Sequence, residues 1–167
     1  MNIRPATEND IARITDLFTK SVHGIASSSY NQEQLDAWAP RPPDLAHWRS
    51  RLSGCETLVA ELDNELTGFI SFTPGGHIEF LFTSPAFARQ GIASKLYTAA
   101  LNILHKKSID RTGVAASLEA RPFLERQGFQ VTREETVMLN GVPLRRFVME
   151  IHHVSNARRS PRKRLRY

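Results

Sequence analysis

The chain has 167 residues, 41% hydrophobic and 23% charged, the composition of an ordinary soluble domain that buries roughly 70% of its unfolded surface. Its net charge of +5 belongs to one end: Arg158, Arg159, Arg162, Lys163, Arg164 and Arg166 lie in a stretch with no acid from His152 onward, and the rest of the chain holds 16 basic against 17 acidic residues. The excess charge therefore belongs to the tail and says little about the surface of the body; no apolar run approaches a membrane span, and the single cysteine, Cys55, excludes an internal disulfide.

In chain order, residues 2–5 read as a short strand, reached directly from Met1 with no signal peptide. Together with the lone cysteine this sets the expectation of a reducing, cytoplasmic location. Thr7-x-x-Asp10 resembles a capping box, and Ile11, Ile14, Leu17, Phe18 and Val22 repeat at helical spacing behind it. A loop over 27–31 precedes a helix through Leu35 and Trp38. Pro40-Arg-Pro-Pro43 breaks the chain before a short helix over Asp44–Leu52.

From Thr57 the pattern becomes strands. Leu58–Leu62 and Glu65–Thr73 are joined at Asp63-Asn64, and His77–Thr83 follows the Pro74-Gly75-Gly76 break. Ile92, Leu96, Ala99, Ala100, Ile103 and Leu104 mark one face of a long helix ending near Lys107. Thr112–Ala116 reads as a strand and Glu119–Gln127 as a helix ended by Gly128. Val131–Leu139 and Val142–Ile151 flank Asn140-Gly141, a strong hairpin signal. The order predicts an α+β domain over 1–151, a mixed, mainly antiparallel sheet of about seven strands with helices on both faces, and a basic tail over 152–167.

The segment from Phe80 to Tyr97 carries the most chemistry. An apolar strand stops at Pro85, a loop bears Arg89 and Gln90, and Gly91-x-Ala93 opens a helix. The first N–H groups of a helix lack partners inside it and meet the positive end of its dipole. A glycine there lets a bulky anion approach the main chain, so the turn can cradle a pyrophosphate. It matches neither a P-loop nor a dinucleotide fingerprint.

With these residues in place, the chain resembles the GNAT superfamily of acyl-CoA-dependent N-acetyltransferases, in a small bacterial single-domain form. The family's acyl-CoA signature is Arg or Gln, two residues, Gly, one residue, then Gly or Ala. Here Ala88-Arg-Gln-Gly91-Ile-Ala93 keeps the glycine and the final alanine, with Ala88 at the first position and Arg89 and Gln90 directly after it. Ala120-Arg-Pro-Phe-Leu-Glu-Arg-Gln-Gly128-Phe129 is similar to the family's fourth-helix block, and Tyr30…Leu35-x-x-Trp38-Ala39 is similar to a small bacterial branch. The resemblance implies acetyl-CoA as cosubstrate, held between two splayed strands. Main-chain groups of Leu81 and Thr83, with Phe82 between them, would meet the pantetheine arm. Arg89, Gln90, Gly91, Ile92, Ala93 and Ser94 would wrap the pyrophosphate.

Acetyl transfer to an amine calls for a base, because only about one amine in ~10³ with a pKa near 10.4 is neutral at pH 7. Glu79 is the first candidate base, with His77 as an alternative or as a substrate contact. On a regular strand His77, Glu79 and Leu81 share one face. A general acid for the leaving thiolate is less necessary. Many relatives place a tyrosine four residues before the fourth-helix glycine, where this chain has Leu124. Tyr30 then becomes the candidate acid, ahead of Tyr97, with water as the other source of the proton. Cys55 lacks a paired histidine, Trp38, Trp48 and Phe72 suit either a substrate pocket or the core, and His152-His153 has no further ligands at metal spacing, so no metal is expected.

The reaction predicted is direct transfer of acetyl to a primary amine through a tetrahedral intermediate. One alternative is an acyl-CoA-binding sensor or scaffold of the same fold. Another is nucleic-acid association through the basic tail, disfavoured because aromatics are not interleaved with the charges. A second subunit, in a homodimer, is a further partner the tail could meet.

Overall fold

The computed structural model describes residues 1–154; the basic tail from Arg158 to Arg166 lies outside the described residues. Seven strands form one sheet: β1 (Asn2–Pro5), β2 (Glu56–Leu62), β3 (Glu65–Phe72), β4 (His77–Thr83), β5 (Arg111–Ala116), β6 (Gln130–Leu139) and β7 (Val142–His152). Their order is β1-β2-β3-β4-β5-β7-β6, antiparallel throughout except where β4 meets β5. The helices are α1 (Ile11–Ile25), α2 (Gln32–Trp38), α3 (Leu45–Ser53), α4 (Ile92–Lys106) and α5 (Arg121–Arg126). The expected α+β architecture is the one found.

Two apolar clusters sandwich the sheet. On one face Ile14, Phe18 and Val22 of α1, Leu35 of α2 and Trp48 of α3 pack with Phe69 and Phe80. On the other, Leu96, Ala100 and Leu104 of α4 and Leu124 of α5 pack with Ile70, Phe72, Val114 and Met149. Alternation along β3 assigns each residue its side: Phe69 goes to the first face, while Ile70 goes to the second. Gly68 lets α4 settle on the sheet, since a Cβ there would meet Ile92 Cγ2 at 2.9 Å and Leu96 Cδ1 at 3.0 Å.

Local chemistry explains the corners. Asp63 and Asn64 (φ 50° and 65°) and Asn140 and Gly141 (φ 47° and 78°) take the left-handed conformations that two-residue hairpins require. Asn31 and Gln34 cap α2 reciprocally, each side chain accepting the other's N–H at 2.9 Å. Asp44 caps α3 by accepting the His47 N–H at 3.1 Å. The fourth-helix block forms less helix than predicted, only Arg121–Arg126, because residues 117–120 make a preceding turn closed by Arg121 N–H to Ser117 O.

β4 departs from the regular strand in a way that shapes the centre of the molecule. Its register with β3 runs Gly68↔Thr83 to Ser71↔Phe80 and resumes at Phe72↔Ile78, so Glu79 has no residue opposite it. This is a β-bulge, an extra residue that reverses the alternation beyond it. Ile78 and Leu81 therefore both pack on the α4 face, and Phe80 and Phe82 on the α1–α3 face. The expectation that His77, Glu79 and Leu81 share a face is corrected: Glu79 sits against Arg51 of α3, and Leu81 points the other way.

Candidate active site

The sheet opens where the only parallel pair among the described residues parts. β4 and β5 are matched at just two positions, His77↔Gly113 and Ile78↔Val114, and then separate. Hydrogen bonds in an antiparallel ladder alternate between one side of a strand and the other. The Ser84 N–H donates to Thr67 O at 2.9 Å, so counting back through the regular register turns Phe82 and Phe80 toward β3. Leu81 and Thr83 turn their main-chain N–H and C=O toward the gap left by β5. A cleft of about 1010 Å³ passes through this opening, lined on one side by Ala93 and Leu124 and on the other by Trp38, Trp48, Arg51, His77 and Glu79.

At the α4 end of the opening, Gly91 adopts φ +77° and a Cβ added to it would meet nothing within 4 Å. Arg89, two residues before, is also left-handed at φ 63°. The first main-chain bond of α4 runs from the Lys95 N–H to Gly91 O at 3.1 Å, so the amides of Ile92, Ala93 and Ser94 have no partner inside the helix. Arg89, Gln90 and Gly91 are exposed, and Ala93 and Ser94 are half-buried. An open left-handed glycine, bare amides and an arginine make a turn suited to an anionic group. These are the residues the sequence singled out, and Ala93 of this turn lines the same cleft as Leu81 and Thr83.

On the other side of the sheet the bulge presents Glu79. Its side chain is one-third exposed (33%), with one carboxylate oxygen 3.5 Å from an Arg51 guanidinium nitrogen and the other 3.9 Å from His77 Nε2. Aromatic rings enclose the floor: Phe18 meets Trp48 and Phe82 edge-on, each at 4.8 Å between centroids, and Arg51 lies 4.4 Å over the Phe80 ring. Trp38 and Trp48 line the cleft, whereas Phe72 is fully buried on the opposite face of the sheet. Arg51 was missed by the sequence reading; its position three residues after buried Trp48 on the same helix was the available signal.

The tyrosines are occupied differently. The Tyr30 hydroxyl donates to Arg145 O at 2.8 Å and accepts the Leu118 N–H at 3.0 Å, tying the segment before α2 to β7 and to the end of β5. Burial raises its pKa against the pull of the Leu118 amide. Tyr97 is buried beside Phe129, its hydroxyl lacks a partner among the described residues, and burial pushes its pKa up to about 12. Leu124 is buried in the core and has no proton to give. Burial likewise raises the Cys55 thiol. Among the described residues no group of three or more His, Cys, Asp or Glu is arranged to hold a metal ion, and no helix is long and apolar enough to cross a membrane.

A sheet parted at one parallel pair, with a glycine-opened helix at the mouth, defines the class of the protein. The model of the acetyltransferase (GNAT) domain matches residues 26–151. The uncharacterised N-acetyltransferase YafP of Escherichia coli (strain K12) is 32% identical over 149 residues, which cover 89% of this chain and 94% of that protein. A GCN5-related N-acetyltransferase from Rhodopseudomonas palustris superposes with a TM-score of 0.87 at 28% identity, covering 90% of this chain and 94% of its own. The PaiA N-acetyltransferase of Thermoplasma acidophilum, solved in complex with coenzyme A, shares the fold at a TM-score of 0.74 and 20% identity, over 91% of this chain and 98% of its own. The chain belongs to the GNAT acetyltransferase family.

Proposed function

We propose that the protein is an N-acetyltransferase that moves acetyl from acetyl-CoA directly to a primary amine. The observation that carries this reading is the parted β4–β5 pair, whose free edge at Leu81 and Thr83 lies between the Gly91 turn and Glu79. Acetyl-CoA supplies an activated thioester. The Leu81 and Thr83 main chain would pair with the pantetheine arm as a further strand would, and the amides from Arg89 to Ser94 would receive the pyrophosphate, with the Arg89 charge beside them. The bulge matters here, because it carries the strand edge that meets the thioester and the carboxylate that meets the amine on one short run of chain.

Glu79 takes a proton from the ammonium, directly or through water, with His77, its Nε2 3.9 Å from the carboxylate, as the alternative base or a substrate contact. The neutral amine attacks the thioester carbonyl, forming the new C–N bond and a tetrahedral oxyanion. A main-chain N–H of the gap edge stabilises that oxyanion. Collapse restores the carbonyl and breaks the C–S bond, and the second proton, still carried by the former amine nitrogen, passes through water to the departing thiolate, whose pKa is about 8.5. The Tyr30 proton is directed to Arg145 O, so its role in this scheme is to hold the cleft wall.

Two variants test the reading. Calorimetry with acetyl-CoA should show micromolar binding by the wild type and none by Gly91→Glu, whose carboxylate would fill the anion turn. Glu79→Gln should keep that binding and lose about 10²- to 10⁴-fold in kcat/KM for an accepted amine. Absence of acetyl-CoA binding by the wild type would sink the proposal.

A further inference from the structure

The acceptor side of the cleft has a charge pattern that selects among amines. Its lining contains three acids (Asp44, Glu79 and Glu135) against four arginines (Arg51, Arg133, Arg145 and Arg146) among the described residues. Such a wall offers no acidic surface to a polyamine or a lysine-rich peptide. Most of these charges are already committed. Arg145 pairs with Glu134, Arg146 and Arg133 share Glu135, and Asp44 caps α3. Arg51 and Glu79 are what remains, facing each other at 3.5 Å, longer than a hydrogen bond.

We propose that the acceptor is an α-amino acid with an apolar or aromatic side chain, its carboxylate received by Arg51 and its ammonium by Glu79. The proposal rests on the acetyl-transfer reading above. The two charged groups of an α-amino acid stand on one carbon, so the zwitterion can lie against the Arg51–Glu79 pair with each charge opposite its complement. The Arg51 guanidinium carbon lies 4.4 Å from the Phe80 ring centroid and its side chain is 44% exposed, so its N–H donors can reach a carboxylate entering the cleft. The side chain of the amino acid would then meet the aromatic wall of Phe18, Trp38, Trp48 and Phe82. Glu79, holding the ammonium, is the same group that deprotonates it, so recognition of the acceptor and activation of its nitrogen fall on one carboxylate.

The test compares L-phenylalanine with L-phenylalaninamide, which keeps the amine and ring but lacks the carboxylate. Thiol release and mass-spectrometric detection of the N-acetyl product give kcat/KM for each. Arg51→Met, which keeps an apolar side chain over Phe80, should lower kcat/KM for phenylalanine about 10- to 100-fold more than for the amide, chiefly through KM. Arg51→Lys should recover part of the difference. Equal losses on both substrates would assign Arg51 a structural role and overturn the proposal. Spermidine and a lysine peptide, assayed alongside, separate the two levels of inference. Acetylation of either, with phenylalanine untouched, removes this proposal alone; failure of the wild type to bind acetyl-CoA removes both.

Discussion

At the scale of single residues, the site depends on how a few polar groups are paired. Tyr30 and Tyr97 are both buried tyrosines, and their hydroxyls differ completely. That of Tyr30 is bonded twice to main chain, while that of Tyr97 is bonded to nothing among the described residues. A buried hydroxyl without a partner costs stability, and its removal costs none. Tyr97→Phe is therefore expected to stabilise the fold by about 1 kcal/mol, seen as a rise of about 2–4 °C in thermal midpoint. A fall in the midpoint would mean that the hydroxyl has a partner, such as a bound water. Neither difference was readable in the sequence, because a hydroxyl's partners come from distant segments: Leu118 and Arg145 lie far along the chain from Tyr30.

At the scale of elements, one buried carboxylate joins three of them. Asp10, ahead of α1, accepts from Arg4 of β1 at 2.7 and 2.9 Å and from the Thr7 N–H at 2.8 Å, while Arg4 and Arg13 also bind Glu61 of β2. The Arg4 hydrogen bonds, joined by those from Thr7, hold the Asp10 carboxyl well below the usual carboxylate range in spite of its burial. A group whose pKa is lowered by folding contributes stability above its unfolded pKa of 3.8 and loses it as pH falls below that value. Asp10→Asn should cost about 2–4 kcal/mol in urea denaturation at pH 7. The gap from wild type should narrow steadily as the pH is taken from 5 to 2. The capping pair was visible as Thr7-x-x-Asp10, whereas Arg4 and Glu61 enter through strand pairing and carry no local mark. The Glu79 bulge was hidden for the same reason: it is a mismatch in the count of residues between β3 and β4. Gly91, Asp63-Asn64 and Asn140-Gly141 were legible because each conformation is dictated by its own side chains.

At the scale of the whole molecule, the sheet is two smaller sheets, β1–β4 and β5–β7, held edge to edge by two residue pairs and by the helices above and below. The amides of Leu81 and Thr83 end in the opening between them, while their neighbours Phe80 and Phe82 are bonded into β3. In deuterated solvent the ligand-free protein should therefore show an alternating pattern along β4, with the protons of Leu81 and Thr83 replaced early and those of Phe80 and Phe82 late. Acetyl-CoA should erase the alternation by slowing the two fast positions. A resolved exchange spectrum would thus report occupancy of the gap one amide at a time, before any acceptor is known and without a single turnover.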